Sequence, residues 1–194
     1  GEEAQSLDVV FPVMHGPLGE DGTIQGLLEV MGVPYVGAGV LGSAVGMDKD
    51  VMKRLLRDAA IPIADFRTLL HRDFLKARGL VLKKAQEVGF PLFVKPANLG
   101  SSVGITRVLS PTELPAALEI AFRYDTKVLC EQAIVGRELE CAVLDGEPPQ
   151  ASVPGEIVVL HPDGFYSYDA KYVDEHGASL EAPAKLEPET FRAI

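Results

Sequence analysis

The sequence contains no tryptophan and only two cysteines, Cys130 and Cys141. These cysteines form no Cys-x-x-Cys pair and do not cluster with histidine, which excludes a zinc site and a disulfide framework. We therefore expect both to be reduced core residues of a cytoplasmic protein.

Basic residues are also scarce. The 194-residue chain has 18 Lys and Arg against 28 Asp and Glu, which gives a formal net charge of −10. Because a nucleic-acid backbone is bound by a basic face, we expect no nucleic-acid partner, although a local basic pocket for a small phosphate ligand is compatible with this charge. The apolar fraction of 47% predicts a globular protein with a substantial core.

No apolar run resembles a membrane span. Residues 30–47 are uncharged, but they include Pro34 and five glycines, which are typical of loops and turns. The first residues are acidic and polar, the opposite of a secretory signal. We therefore expect no membrane segment.

Strand and helix patterns alternate in the first part of the chain. Residues 8–12 are β-branched and aromatic, apolar residues at helical spacing follow between Ile24 and Met31, and residues 34–36 resemble a second strand. Strand, helix and strand in this order predict a parallel sheet.

The rest of the chain also mixes helices and strands, which predicts an α/β or α+β protein. A capping box from Ser110 to Glu113 marks the start of one helix. Helices are predicted from residue 48 to before Pro62, at 73–88 and at 110–124, strands at 92–94, 128–130 and 138–144, and a long loop after Pro154.

A glycine motif, GAGVLG at residues 37–42, matches the G-x-G-x-x-G pattern of dinucleotide-binding proteins. In such proteins an acidic residue about 20 positions later ends a strand, whereas Asp58 lies in a predicted helix. A tight turn before a helix therefore explains the glycines better, and an NAD-binding module is kept as an alternative.

Lysines and glycines at two points suggest phosphate binding. Lys95 leaves an apolar strand just before the small-residue loop 100–104, whose amides and serine hydroxyls can approach phosphate oxygens. Lys49 stands at a helix start, where a cation is disfavoured unless an anion offsets it. Each lysine can equally be a solvated surface residue.

Two glutamates border predicted strands. Glu131 ends the strand at 128–130, and Glu138 opens the next one. Carboxylates at strand ends can accept hydrogen bonds from an adenine amino group or from ribose hydroxyls. They can also be exposed charges at the edge of a sheet.

Six segments occur here in the order found in one known family. They are HGPLGEDGTIQG (15–26), PYVGAG (34–39), MDK (47–49), FVKPANLGSSVGI (93–105), CEQAIVGRELE (130–140) and FYSYDAKY (165–172). With them the chain resembles the D-alanine–D-alanine ligase family of ATP-grasp enzymes.

The resemblance implies a mixed α/β architecture, an ATP-grasp fold preceded by a Rossmann-like domain with a parallel sheet. Residues 1–37 would be the remainder of that first domain, 38–131 the central ATP-grasp domain, which is α+β, and 132–194 the start of the C-terminal domain with a mobile active-site loop. The family extends beyond both ends of this chain, so we expect a central portion that is inactive alone.

The resemblance also implies roles for individual residues. Lys49, Lys95 and the loop Gly100, Ser101, Ser102, Val103 and Gly104 would bind ATP phosphates. The adenine would contact Glu131, Gln132, Ala133 and Ile134, and the ribose would contact Glu138. The catalytic and substrate-site residues would be His15, Ser101, Lys171 and Tyr172, and Glu20 would line or brace the substrate pocket together with His15.

The implied reaction joins two D-alanines through a D-alanyl phosphate intermediate at the expense of ATP. Mg²⁺ or Mn²⁺ would assist, with ligands expected beyond residue 194, since Asp163 and Asp169 resemble solvated loop residues. Dimerisation through the first domain is also implied. A D-alanine–D-lactate ligase is the alternative within the fold, although Tyr172 favours an amine as the nucleophile.

Overall fold

The computed structural model describes residues 7–194, and the chain divides into two units, Gly1–Ala133 and Ile134–Ile194. The first unit contains α1 (Thr23–Met31), α2 (Val40–Met47), α3 (Lys49–Asp58), β1 (Phe66–Leu70), α4 (His71–Gln86), β2 (Leu92–Pro96), β3 (Thr106–Val108), α5 (Leu114–Ala121) and β4 (Lys127–Gln132). The second contains β5 (Glu138–Glu140), β6 (Val143–Leu144), β7 (Gln150–Ala151), β8 (Gly155–Val159), α6 (Tyr168–Tyr172), β9 (Ala178–Glu181) and α7 (Pro188–Ala193). The division of the chain into residues 1–37, 38–131 and 132–194 stays a prediction.

An antiparallel sheet with the strand order β1-β4-β2-β3 organises the first unit. Side chains alternate between the two faces of such a sheet. Val94 and Cys130 are opposite each other on one face and are fully buried with α4 and α5 in the core. The neighbouring residues Lys95 and Glu131 therefore point to the other face.

Helix α3 lies over this second face. Thr68 Oγ1 on β1 donates to Asp50 Oδ1 at 2.6 Å, and Lys53 Nζ is 2.9 Å from Glu131 Oε2 on β4. The residues that α3 buries are thus the polar ones, Asp50 and Lys53. The apolar residues Val51 and Leu55 of α3 are instead exposed, and the predicted helix itself is confirmed.

The start of α3 is fixed by Asp48. Its carboxylate accepts hydrogen bonds from the backbone amides of Asp50 and Val51 at 3.1 Å and from Lys127 Nζ at 2.5 Å. Burial raises the pKa of the Asp48 carboxyl, but Lys127 and the two amides outweigh burial and hold this pKa below its ordinary value.

Replacing Asp48 by alanine is expected to lower the free energy of unfolding by about 1–2 kcal/mol, because a helix cap and an ion pair are lost. Asp48→Asn retains a cap and loses only the charge, so its effect should be smaller. Since the folded pKa is depressed, the stability due to the charge is present above the unfolded pKa of about 4 and is lost as pH falls through the folded pKa. Urea unfolding at pH 7 and pH 3 measures this. If the free energy of unfolding of Asp48→Asn were as far below that of the unmodified chain at pH 3 as at pH 7, the explanation would be contradicted.

The predicted strands near the N-terminus are reduced to a single parallel bridge between Val10 and Tyr35. The helix between them is confirmed, and it ends at Gly32, whose φ of 68° is the left-handed conformation expected of a C-terminal glycine. In contrast, residues 40–47 are helical, although their glycines predicted a loop. The predicted capping box is also wrong, because α5 begins only at Leu114.

Several strands differ from the prediction. β1 and β3 were not predicted, and the strand expected at 138–144 is two short strands, β5 and β6. The long loop expected after Pro154 contains β8, β9 and two short helices. Cys130 is buried as expected, but Cys141 is exposed beside the hairpin of β6 and β7.

The second unit is built on an antiparallel sheet with the order β5-β8-β9. Arg137 is bound to Glu156 through two nitrogens and also donates to the carbonyl of Lys185 at 2.8 Å. These bonds tie the segment before β5 to β8 and to the chain after β9. Within residues 7–194, no helix combines the length and apolarity that crossing a membrane requires.

Candidate functional site

Lys49 and Lys95 lie on the face of the sheet that α3 covers. Lys49, the first residue of α3, directs its ammonium to the carbonyl oxygens of Ala97, at 3.4 Å, and Leu99. Burial lowers the pKa of Lys49, and the positive charge of Lys95 lowers it further. Lys49 thus contacts the loop that follows β2, and Lys95 lies on β2 next to the last residue of that strand.

Glu131 on β4 stands between two lysines. Lys95 Nζ is 2.8 Å from its Oε1, and Lys53 Nζ is 2.9 Å from its Oε2. Burial raises the pKa of the Glu131 carboxyl, but the two ammonium groups outweigh this effect and hold the pKa below its usual range. Glu131 is therefore a carboxylate, and the cluster of Lys49, Lys53, Lys95 and Glu131 carries an excess of positive charge.

Aromatic rings flank Glu131 on both neighbouring strands. Phe66 on β1 and Phe93 on β2 are its direct cross-strand partners. The ammonium of Lys53 lies 5.6 Å from the Phe66 ring centre, and that of Lys95 lies 5.3 Å from the Phe93 ring centre. Both distances are in the range of cation–π contacts, which restrict where each lysine can lie.

Lys53 was not among the predicted site residues. Its position four residues after Lys49 places the two on one helical face, which was the available indication. That Lys53 would turn toward Glu131, more than 70 residues later in the chain, cannot be inferred from this spacing. The ion pair with Glu131 is a tertiary contact.

The loop after β2 adopts a tight, left-handed backbone. Ser101, Ser102 and Gly104 have φ values of 52°, 60° and 70°. The amide of Val103 donates to the carbonyl of Gly100 at 3.2 Å, and that of Ile105 donates to the carbonyl of Ser102 at 3.2 Å. The amides of Val103 and Ile105 are therefore engaged within the loop itself.

The two ends of this loop are anchored differently. At its start, Asp125 accepts hydrogen bonds from the backbone amide of Asn98 at 2.8 Å and from its side chain at 3.1 Å. At its end, Gly104 is so close to the ring of Tyr124 that a Cβ atom would lie 2.7 Å from the ring. The loop thus has fixed ends and a strained centre.

Replacing Gly104 by alanine is therefore expected to lower the free energy of unfolding by at least about 1–2 kcal/mol, since a left-handed φ and a steric clash would both be imposed. Gly79→Ala in α4 is the matched control, because a Cβ there meets nothing within 4 Å. The control should be stabilising by up to about 1 kcal/mol. Urea unfolding of both variants makes the comparison, and equal effects would contradict it.

A cavity of about 630 Å³ opens beside Lys49 in the first unit. Its wall includes Glu20, Leu99 and Gly100, so the loop after β2 and the segment before α1 meet there. Glu20 Oε2 accepts a hydrogen bond from the amide of Gly16 at 2.5 Å, which fixes its carboxylate. His15 is exposed and does not line the cavity.

The segment after Glu131 is partly engaged. The amide of Gln132 donates to the carbonyl of Asp65 at 2.9 Å, and that of Ala133 donates to the carbonyl of Pro91 at 3.1 Å. These two amides cannot bind a ligand without first breaking a bond. Contact of this segment with adenine would instead have to use its carbonyl groups or later residues.

The remaining predicted residues belong to the second unit. Ile134 is 68% exposed, and Glu138 is exposed at the start of β5. In α6, the ammonium of Lys171 lies 4.5 Å from the ring centre of Tyr166, and the rings of Tyr168 and Tyr172 are 5.1 Å apart. Lys171 thus contacts Tyr166, while Tyr168 and Tyr172 contact each other, and the predicted roles of these residues stay predictions.

Neither a dinucleotide site nor a metal centre is formed by the described residues. Gly39 is the N-cap of α2, but Asp58 is the last residue of α3 and does not end a strand, so the acidic partner of the glycine motif is missing. Across residues 7–194, no group of three or more His, Cys, Asp or Glu side chains is arranged to hold a metal ion. The donor set therefore does not fit a metal within this part of the chain.

Comparison with known proteins adds independent findings. The family described as D-ala D-ala ligase N-terminus matches residues 1–38, and the family described as D-ala D-ala ligase C-terminus matches residues 55–194. D-alanine–D-alanine ligase A of Chromobacterium violaceum is 56% identical over 97% of this chain and 50% of its own length. The corresponding enzyme of Escherichia coli is 50% identical over 97% of this chain and 51% of its own length.

Solved structures of named ligases also match this chain. The D-alanine–D-alanine ligase of Coxiella burnetii matches with a TM-score of 0.81 and 40% identity, over 98% of this chain and 49% of that one. The VanG D-Ala:D-Ser ligase of Enterococcus faecalis matches with a TM-score of 0.82 and 38% identity, over 97% and 53%. The expected α/β, ATP-grasp architecture is confirmed, and the chain spans about half the length of these relatives. The chain belongs to the D-alanine–D-alanine ligase family.

Proposed function

We propose that the protein to which this chain belongs joins two D-alanines to D-alanyl-D-alanine, with ATP as the second substrate. The observation that carries the proposal is the pair Lys49 and Lys95. Lys49 donates to carbonyl oxygens of the loop that follows β2, and Lys95 lies next to the last residue of that strand, so two cations stand beside this loop. Burial and the charge of Lys95 lower the pKa of Lys49, and a bound triphosphate, the phosphoryl donor that the proposed ligation requires, would offset this repulsion.

The proposed chemistry follows from the weakness of a carboxylate as an acyl donor. Transfer of the γ-phosphoryl group to the carboxylate of the first D-alanine gives an acyl phosphate, and the amine of the second D-alanine displaces phosphate from it. Phosphoryl transfer depends mainly on positioning and on neutralisation of charge. Lys49 and Lys95 supply that neutralisation in the proposal, while the loop 100–104 covers the phosphates.

Other residues are proposed to serve the nucleotide and the amino acids. Glu131 is proposed to accept from the adenine amino group, and Glu20 to border the D-alanine pocket, since it lines the cavity beside Lys49. Roles at the substrates are proposed for the remaining members of the predicted set, His15, Ser101, Glu138, Lys171 and Tyr172. A divalent metal would neutralise further phosphate charge when bound.

The acceptor is the open question of specificity, because one structural relative is a D-Ala:D-Ser ligase. We propose D-alanine as the acceptor, because the chain is 50–56% identical to ligases named for D-alanine. D-lactate and D-serine are the alternatives.

Two measurements test the proposal. The 194-residue chain should bind ATP in the presence of Mg²⁺, as measured by NMR titration. For ligation, this chain replaces the matching half of the E. coli relative, and ADP release and dipeptide are measured with D-alanine, D-lactate or D-serine as acceptor. A folded chimera that binds ATP and D-alanine but forms no dipeptide would refute the proposal, and a preference for D-lactate or D-serine would replace the acceptor.

A further inference from the structure

Lys53 is buried at a place where a lysine is costly. The residue is only 8% exposed, and its ammonium is 2.9 Å from Glu131 Oε2. An ammonium group removed from water requires a partner charge. Glu131 is that partner, because α3 places Lys53 against its carboxylate. A role as a solvated surface charge therefore does not explain why a lysine occupies position 53.

One lysine is sufficient to neutralise Glu131, yet the carboxylate has two. Each oxygen pairs with a different ammonium group, Oε1 with Lys95 and Oε2 with Lys53. If either lysine leaves, the other still pairs with the carboxylate. The doubled ion pair therefore permits one ammonium group to depart without leaving a buried charge alone.

The two lysines differ in their access to a ligand. The side chain of Lys53 is 10% exposed beneath α3, whereas that of Lys95 is 21% exposed at the end of β2. Lys95 also lies on β2 next to the start of the loop 97–104, whose carbonyl groups accept from Lys49. Lys53 is thus the enclosed partner that stays, and Lys95 is the accessible partner that can turn away.

We propose that Lys53 is a positioning residue, which holds Glu131 through Oε2 so that the ammonium of Lys95 can transfer to a nucleotide phosphate. The proposal rests on the proposed function, since it assumes that ATP is the ligand. Without Lys53, the departure of Lys95 would leave the buried Glu131 carboxylate with no cationic partner, because the adenine amino group proposed to bind it is neutral, and phosphate binding would have to compensate for that cost.

The test measures how much the phosphates add to affinity. The 194-residue chain is titrated with adenosine and with ATP plus Mg²⁺, and the ratio of the two dissociation constants is compared among variants. Lys53→Met is expected to reduce this ratio at least tenfold, because Lys95 is retained by Glu131. Lys53→Arg keeps the charge and should stay within threefold of the unmodified chain. Lys84→Met, an exposed lysine of α4, is the matched control with an unchanged ratio.

A double substitution separates positioning from a general structural role. Glu131→Gln removes the charge that retains Lys95, so Lys53→Met added to Glu131→Gln should leave the ratio within threefold of Glu131→Gln alone. This comparison still tests the inference if the single variant Lys53→Met does not fold. A mere loss of structure would not be reversed by removing Glu131's charge.

The outcomes are distinct. An unchanged ratio in Lys53→Met, a ratio in Lys53→Arg as low as that expected of Lys53→Met, or a tenfold loss in the Glu131→Gln background would each overturn the inference. If the unmodified chain bound no ATP, the proposed function would fail instead.

Discussion

Replacing Glu131 by leucine is expected to lower the free energy of unfolding by about 3–5 kcal/mol. The substitution leaves Lys53 buried without a carboxylate, next to a second lysine that also loses its partner. Breaking a buried ion pair by removing one member costs this much because the remaining charge is uncompensated. For a chain of this size, the melting temperature should fall by about 10 °C.

Urea unfolding followed by circular dichroism measures the effect at neutral pH. Glu87→Leu is the matched control, because Glu87 also pairs with a basic residue, Arg67, at 3.0 Å, but its side chain is 58% exposed. Exposed pairs contribute about 0–1 kcal/mol, so the control should remain close to the unmodified chain. Similar losses in the two variants would show that Glu131 is not a buried partner of the lysines.

Replacing Lys95 by methionine is expected to weaken ATP binding about 30- to 150-fold, which corresponds to about 2–3 kcal/mol. The variant loses one of the two cations proposed to bind the phosphates, while Glu131 keeps Lys53 as its partner. Folding should therefore suffer much less than in Glu131→Leu. Affinity for adenosine should change little, since the phosphates are the groups that Lys95 is proposed to bind.

The measurement is an NMR titration with ATP plus Mg²⁺ and with adenosine. Lys83→Met is the control, because Lys83 is an exposed lysine in the last turn of α4. Its affinity for both ligands should be unchanged. If Lys95→Met bound ATP as tightly as the control, Lys95 would have no role at the phosphates.

Local features of the sequence were sufficient to predict the elements whose start or end is marked by a recognisable residue. Gly32 ends α1 and Asp48 caps α3, because each acts on its own neighbouring backbone. The strands β2 and β4 were also predictable in part, since their apolar residues form the buried face of the sheet. Lys95 and Glu131 could thus be identified at strand ends.

Features that depend on distant contacts were not predictable. The residues of α2 include Gly42 and Gly46, whose low helix propensity predicted a loop, yet the segment is helical between α1 and α3. β8 and β9 stabilise each other by pairing across the segment that contains α6, and β9 contains no β-branched residue that would have indicated a strand. Cys141 shows the same limit, because its exposure depends on the hairpin beside it and not on its type.

The site was predictable as a set of residues but not as an arrangement. Motifs identified the lysines and the loop, whereas the pairing of Glu131 with Lys95 and Lys53 required the sheet register and the position of α3. The engaged amides of Gln132 and Ala133 likewise follow from contacts with chain segments far away in sequence.

The central claim is that Lys49 and Lys95 bind the same triphosphate, and the ¹³Cε NMR signals of the lysines test it most directly. On addition of ATP with Mg²⁺, the signals of both residues should shift, and the depressed pKa of Lys49 should rise because phosphate oxygens offset the charge of Lys95. Adenosine should produce neither change. Saturation with ATP that left the signal of either lysine, or the pKa of Lys49, unaltered would contradict the account.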